Sequence, residues 1–207
     1  YRMFDLEEYD YDLPEHLIAQ APTERRDRSR LLVVDRFGES FSDRFFFDLP
    51  RLLKPGDLLV VNNTQVVPAR LFGRKESGGR VEVLVLEHGD PGQDPGSARW
   101  CLVRASKRPK VGHRLLFERQ MSALVESVGG GGLTRLAFQG PFLIDRFLQE
   151  FGAVPLPPYI RRSDEDGRSA ADQERYQTIF SRPRGSVAAP TAGLHFSEEL
   201  VQRLLDW

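Results

Sequence analysis

Between Val66 and Phe138 the sequence breaks into short strand patterns separated by glycine-rich turns, and this restricts the possible folds more than any other feature. The patterns are Ala69 to Arg74, Arg80 to Glu87, Arg99 to Ala105, Arg114 to Phe117, Met121 to Val128 and Leu133 to Phe138. In the second, Val81, Val83 and Val85 alternate with Glu82, Leu84 and Leu86. A period of two belongs to a strand with one buried face. Ser77-Gly78-Gly79 and Gly129 to Gly132 supply turns, and His88 to Ser97 is a polar loop rich in Gly and Pro. Short strands at regular spacing predict a small antiparallel barrel or sandwich.

The flanks mix elements. On the N-terminal side a helical turn is expected over Glu15 to Gln20 and a buried strand over Leu31 to Val34. A turn follows at Phe37-Gly38-Glu39, a helical stretch over Asp48 to Leu53, a turn over Lys54 to Asp57 and a strand over Leu58 to Val61. On the C-terminal side Pro141 to Phe151 carries an apolar helical stripe, with Gly152 suited to its C-terminal cap. Pro155 to Pro158 is stiff and extended, Ser163 to Ser169 is a charged loop, and Ala170 to Phe180 reads as a helix. A short apolar run over Ser186 to Ala189 leads to another helix, with Ser197 as N-cap and Glu198-Glu199 in its acidic first turn. The expected fold is therefore a mixed, barrel-like α/β domain, residues 1–63 and 140–207, with an antiparallel β-barrel inserted at 64–139. Leu200, Leu204 and Leu205 give the last helix an apolar face that a following strand would normally cover, so the chain is expected to be truncated at its C-terminus.

The balance of 29% charged and 40% hydrophobic residues over 207 positions describes a soluble globular chain. A net charge of −1 excludes a protein-wide basic field but not a local nucleic-acid patch. Cys101 is the only cysteine, which excludes a disulfide framework or a cysteine-based zinc site within the chain and fits a reducing, cytoplasmic setting. It lies in the apolar run Trp100 to Val103 and reads as a buried core thiol. No apolar run is long enough to span a bilayer, so no membrane partner is expected. A monomer is favoured.

The segment Ala188 to Phe196 holds the most suggestive chemistry. Small residues, Pro190 and Gly193 give a backbone that a ligand can approach closely, and Thr191 and His195 are its functional side chains. His195 fits either proton transfer or the capping of the next helix. Asn62-Asn63-Thr64-Gln65 at the end of a strand suits either base or ribose contacts or a plain Asx-turn. Arg70 suits a phosphate or carboxylate, or a solvated strand surface. Glu174 to Thr178 is read as helical, with Tyr176 either stacking on a base or filling the core. The run Arg25 to Arg30 reads as a solvated face. Arg104, Lys107, Arg108, Lys110, His113 and Arg114 make the best phosphate-backbone patch, with a solvated hairpin end as the alternative. No P-loop, dinucleotide fingerprint or zinc-type spacing is present, and no metal is expected.

Seven segments taken in order give a sharper reading. They are Arg26 to Val33, Pro55 to Thr64, Val67 to Leu71, Gly78 to Leu84, Pro155 to Ile160, Glu174 to Thr178 and Ala188 to Phe196. Together they resemble the S-adenosylmethionine:tRNA ribosyltransferase-isomerases of queuosine biosynthesis, over nearly the whole chain. Family members continue well beyond the last residue here. The resemblance implies an α/β barrel-like domain with an inserted β-barrel, and transfer of the ribosyl part of S-adenosylmethionine to 7-aminomethyl-7-deazaguanine. That base stands at the wobble position of a tRNA with a GUN anticodon. The products are epoxyqueuosine-tRNA, adenine and methionine, and S-adenosylmethionine is the only co-substrate. It further implies His195 as the acid/base residue, with Thr191 and the loop backbone at Gly193 holding co-substrate or base. Arg175, Tyr176 and Gln177 would line the site, Asn62, Asn63 and Arg70 would position ribose, base or phosphate, and Arg104, Lys107, Arg108 and Lys110 would meet the tRNA. The competing readings are a non-catalytic RNA-binding module and an S-adenosylmethionine-dependent methyltransferase. Adenine release separates the first reading from both.

Overall fold

The computed structural model describes residues 5–87, 96–162 and 169–206. The predicted loops His88 to Ser97 and Ser163 to Ser169 therefore lie largely outside the described residues. The first sheet is a hairpin of β1 (Arg30–Asp35) and β2 (Ser40–Phe45), turning through Phe37-Gly38-Glu39 as expected. It is less buried than the pattern Leu31 to Val34 predicts: Leu32 is 61% and Val34 59% exposed. A two-stranded ribbon has only one face to bury. A 3-10 stretch, Phe46–Arg51, follows. The strand expected at Leu58 to Val61 is absent. That segment is extended but joins no ladder among the described residues, with Leu58 88% and Val60 82% exposed. β3 (Gln65–Val66) pairs in parallel with β10 (Arg184–Ser186).

The six middle strands form the antiparallel barrel that the period-two pattern requires. They are β4 (Arg70–Lys75), β5 (Arg80–Val85), β6 (Ala98–Ala105), β7 (Arg114–Leu116), β8 (Ser122–Val128) and β9 (Leu133–Gln139). The order is β4-β5-β6-β9-β8-β7, closed by β7 on β4 through Arg74 opposite Leu116. Closure removes the exposed edges that an open sheet would leave. Val83, Val85, Cys101, Leu115, Ala123 and Leu136 are fully buried inside it. Burial also pushes the Cys101 thiol far above its ordinary pKa, which leaves it an inert packing group.

Helix α1 (Ile144–Phe151) covers the barrel, adding Ile144, Phe147 and Leu148 to the same core. Its Asp145 meets Arg99 of β6 at 3.0 Å, with both side chains about 5% exposed or less. Arg99 also donates to the carbonyls of Gly96 and Ala98. The chain leaving α1 runs against the chain entering β4, and Arg70 and Ala153 exchange both backbone hydrogen bonds. Gly152 makes that approach possible, since a Cβ there would stand 1.9 Å from the Pro68 carbonyl oxygen.

Helix α2 (Ser169–Arg175) is shorter than the predicted Ala170 to Phe180. Beyond Arg175, tertiary contacts outweigh helical propensity. Tyr176 is drawn into a small core with Val66, Val154 and Ala189, and the Gln177 amide bonds both the N–H and the carbonyl of Val66. Helix α3 (Glu198–Leu205) starts as expected, its Ser197 Oγ accepting from the Leu200 N–H at 3.2 Å. Among the described residues no helix is long and apolar enough to cross a membrane.

The Arg99–Asp145 pair is the costliest polar element of this framework to break. Asp145→Ala strands a buried guanidinium and is expected to lose about 3–5 kcal/mol in urea unfolding. Exchanging both partners for apolar residues of similar volume should recover most of that loss.

Candidate active site

The site is built around a short 3-10 turn, Arg26–Arg28, in the run expected to be a solvated face. That expectation fails because Arg26 turns inward. Its guanidinium donates to the carbonyls of Glu174, Arg175 and Leu194 at 3.1–3.2 Å. The first two lie at the C-terminus of α2, where carbonyls have no helical partners. Asp27 is buried and accepts from the Ser197 hydroxyl at 3.2 Å, fixing the N-cap of α3. Ser29 donates to the Arg26 carbonyl at 3.1 Å and stands 2.9 Å from His195 Nδ1.

The segment expected to be an open loop before α3 holds a second 3-10 turn, Thr191–His195. It carries His195 against Phe46, ring centroids 5.3 Å apart, while Phe196 packs edge-on to the same ring at 5.0 Å. The Ser29 hydroxyl has one proton and two acceptors in reach, the Arg26 carbonyl at 3.1 Å and Nδ1 of His195 at 2.9 Å. When the carbonyl takes that proton, Nδ1 is the donor to Ser29 and Nε2 is the acceptor; when Nδ1 takes it, the tautomer is reversed. Burial, and secondarily the Arg26 charge, hold the imidazole below its ordinary pKa of 6.5. The side chain is thus a neutral base at physiological pH.

His195 lines a pocket of about 270 Å³ with Thr191, Leu194, Arg175, Tyr176, Leu156, Pro157, Tyr159 and Ile160. The walls are mostly apolar and aromatic, and Tyr159 is 52% exposed. Burial raises the Tyr176 phenol pKa, partly offset by the Ala189 N–H, so it stays a protonated phenol. Arg162 and Asp172 close one side through a two-pronged pair at 2.7 and 2.9 Å. Arg175 is anchored on the carbonyls of Thr23 and Glu24.

Four of the residues singled out from sequence therefore meet here: His195, Thr191, Arg175 and Tyr176. The others stand elsewhere. Gly193 shares the turn but packs on Thr178, where a Cβ would come within 2.9 Å of the methyl group. Gln177 is occupied by Val66. Asn62 closes an Asx-turn on the Thr64 N–H at 2.9 Å, and the Asn63 carbonyl accepts from Arg182. Arg70 pairs with Glu82 at 3.1 Å and holds the Leu156 carbonyl, buttressing the pocket wall from behind. Arg104, Lys107, Arg108 and Lys110 are exposed on the barrel, apart from the pocket. Sequence reasoning gave no site role to Arg26, Ser29, Arg162, Asp172 and Tyr159, although Arg26, Ser29 and Tyr159 lie in segments that carry the family resemblance.

A family model described as queuosine biosynthesis protein matches residues 6–206, and the chain belongs to that family. An S-adenosylmethionine:tRNA ribosyltransferase-isomerase of Gloeobacter violaceus is 50% identical over 207 residues, covering 99% of this chain and 55% of its own length. The enzyme of the same name from Geobacter metallireducens is 48% identical over 200 residues, covering 96% of this chain and 56% of its own. A crystal structure of the S-adenosylmethionine tRNA ribosyltransferase from Thermotoga maritima is 33% identical, covers 96% of this chain and 54% of that one, and superposes with a TM-score of 0.36. The chain spans about half the length of the curated relatives it matches.

The histidine assignment is open to direct measurement. Imidazole 15N shifts should report a neutral His195 titrating below 6.5 and show which ring nitrogen carries the proton. Because the folded value lies below the unfolded one, the folded state binds fewer protons. This group's contribution to stability should be complete above pH 6.5 and fall away as the pH drops toward the folded value. Ser29→Ala removes the partner of Nδ1 and should change the tautomer ratio of the neutral ring.

Proposed function

We propose that this chain carries the co-substrate pocket of an S-adenosylmethionine:tRNA ribosyltransferase-isomerase. In this reading the ribosyl group of S-adenosylmethionine is transferred to 7-aminomethyl-7-deazaguanine at the wobble position of a GUN-anticodon tRNA, with release of adenine and methionine. The division into an α/β body and an inserted barrel at 64–139, a cytoplasmic setting and a monomeric state belong to the same reading. What carries it is His195: a neutral imidazole on the wall of an aromatic pocket, in a chain of this family.

The chemistry asks for such a group. The sulfonium acidifies the adjacent 5′ carbon of the ribosyl group, and a base must remove a proton there. His195 Nε2 is that base, in the tautomer with the proton on Nδ1. The electron pair left on C5′ forms a C4′=C5′ bond as C4′–O4′ opens. O4′ becomes the C1′ carbonyl oxygen, and adenine leaves C1′ with its bonding pair. The acceptor amine, kept neutral by a desolvated pocket, then adds at C1′, and methionine leaves C5′ with the C–S pair when the epoxide closes. Pocket volumes for small molecules run from roughly 300 to 1,000 Å³. The pocket here, about 270 Å³, suits one planar moiety, with Tyr159, Tyr176 and Pro157 as apolar walls for a purine. Thr191 and Arg175 offer the polar contacts. Arg104, Lys107, Arg108 and Lys110 meet tRNA phosphates at a distance from the chemistry.

The test is adenine release from S-adenosylmethionine in the presence of precursor-modified tRNA. His195→Ala is expected to lower turnover by about 10²–10⁴-fold, the usual contribution of a general base. The acid limb of the wild-type kcat/KM profile should lie below pH 6.5. Full turnover in the variant would remove His195 from the mechanism, and S-adenosylhomocysteine as product would point to methyl transfer instead.

A further inference from the structure

On the outer face of the barrel, β4 and β5 place Arg74 directly opposite Arg80. Both side chains are exposed, and neither has an ion pair or side-chain hydrogen bond among the described residues. Like charges facing each other across an antiparallel pair destabilise a sheet. Two guanidiniums held side by side with no internal counterion form a fork for an external anion. The next outward position on β4 is Phe72, 60% exposed and facing Glu82. Glu82 does not neutralise the arginines, because it is paired with Arg70. Phe72, Arg74 and Arg80 line a cleft of about 830 Å³ together with Lys75, Glu76 and Glu118. Lys75 reaches across to donate to the Lys107 carbonyl at 3.0 Å, so the cleft is continuous with the basic loop at 107–110.

We infer that this cleft is an RNA-binding surface, with Arg74 and Arg80 clamping a backbone phosphate and Phe72 offering a stacking face to an unpaired base. The inference rests on reading the acceptor as tRNA, and adds a strand-face contact to the basic loop. An exposed aromatic beside paired guanidiniums is the combination that single-stranded segments of RNA use. A small inorganic anion would have no use for the ring, whereas an unpaired base beside a phosphate uses both the ring and the guanidiniums.

The experiment measures binding of a labelled GUN-anticodon tRNA to the full chain by fluorescence anisotropy over a KCl series, with adenine release followed in parallel. Arg74→Ala/Arg80→Ala is expected to weaken binding at least tenfold at 0.1 M salt and to flatten the log K against log salt slope by roughly 0.7–0.9, the loss of one phosphate contact. Phe72→Ala should weaken binding without altering the slope. Arg74→Lys/Arg80→Lys should keep the slope. The melting temperature of the double alanine variant should stay level or rise, because an opposed like-charge pair has been removed. Unchanged affinity and slope in a protein whose parent binds tRNA would overturn the surface and leave the proposed activity intact. A marked fall in melting temperature would overturn it too, by showing the arginines to be structural. A parent chain that neither binds tRNA nor releases adenine would sink both readings.

Discussion

The three carbonyls gathered by the Arg26 guanidinium hold the site together. Two of them end α2 and the third belongs to the turn that carries His195, so one side chain joins the α2 terminus to the Thr191–His195 turn. Its neighbours complete the arrangement: Ser29 holds the imidazole and Asp27 holds the N-cap of α3. Such bonds to a charged donor are each worth about 1.5–3 kcal/mol, more than a neutral backbone bond. The guanidinium is half-buried, and its three carbonyl partners fix where the turn around it sits. The same charge depresses the pKa of His195, so the group that organises the site also helps to keep its base unprotonated.

The barrel depends on a different principle. Its interior is a closed apolar core, and among the described residues its one deep charge, Arg99, is cancelled by Asp145 from the covering helix. Polar interactions around Arg26 place a few atoms, whereas the barrel rests on apolar burial and leaves its outward positions to carry charge.

What was legible in the sequence follows from how local each signal is. All six barrel strands could be read because alternation and glycine turns are written within ten residues or so. The N-cap at Ser197 and the cap at Gly152 are local in the same sense. The end of α2 was not legible, since Gln177 leaves the helix for Val66, 111 residues away. Leu58 to Val61 has the composition of a strand and lacks a partner among the described residues, and pairing is a property of two segments. The role of His195 was undecidable from its neighbours because its defining contact, Ser29, lies 166 residues earlier. Arg26 looked like solvated charge because nothing in a run of arginines says which one turns inward.

The contact between Gly152 and Pro68 gives the barrel an unusual mechanical status. Its two chain ends are pinned to each other by the Arg70–Ala153 bridge, beside the helix α1 that packs on its core. A module tethered in this way closes a loop that its own sheet has already closed. To the rest of the chain, some seventy residues of barrel carry the entropy of a short turn. Hairpins in it can lengthen, shorten or change charge without the α/β body registering the difference. The charge and shape of the barrel surface can therefore change while the arrangement around Arg26 stays fixed.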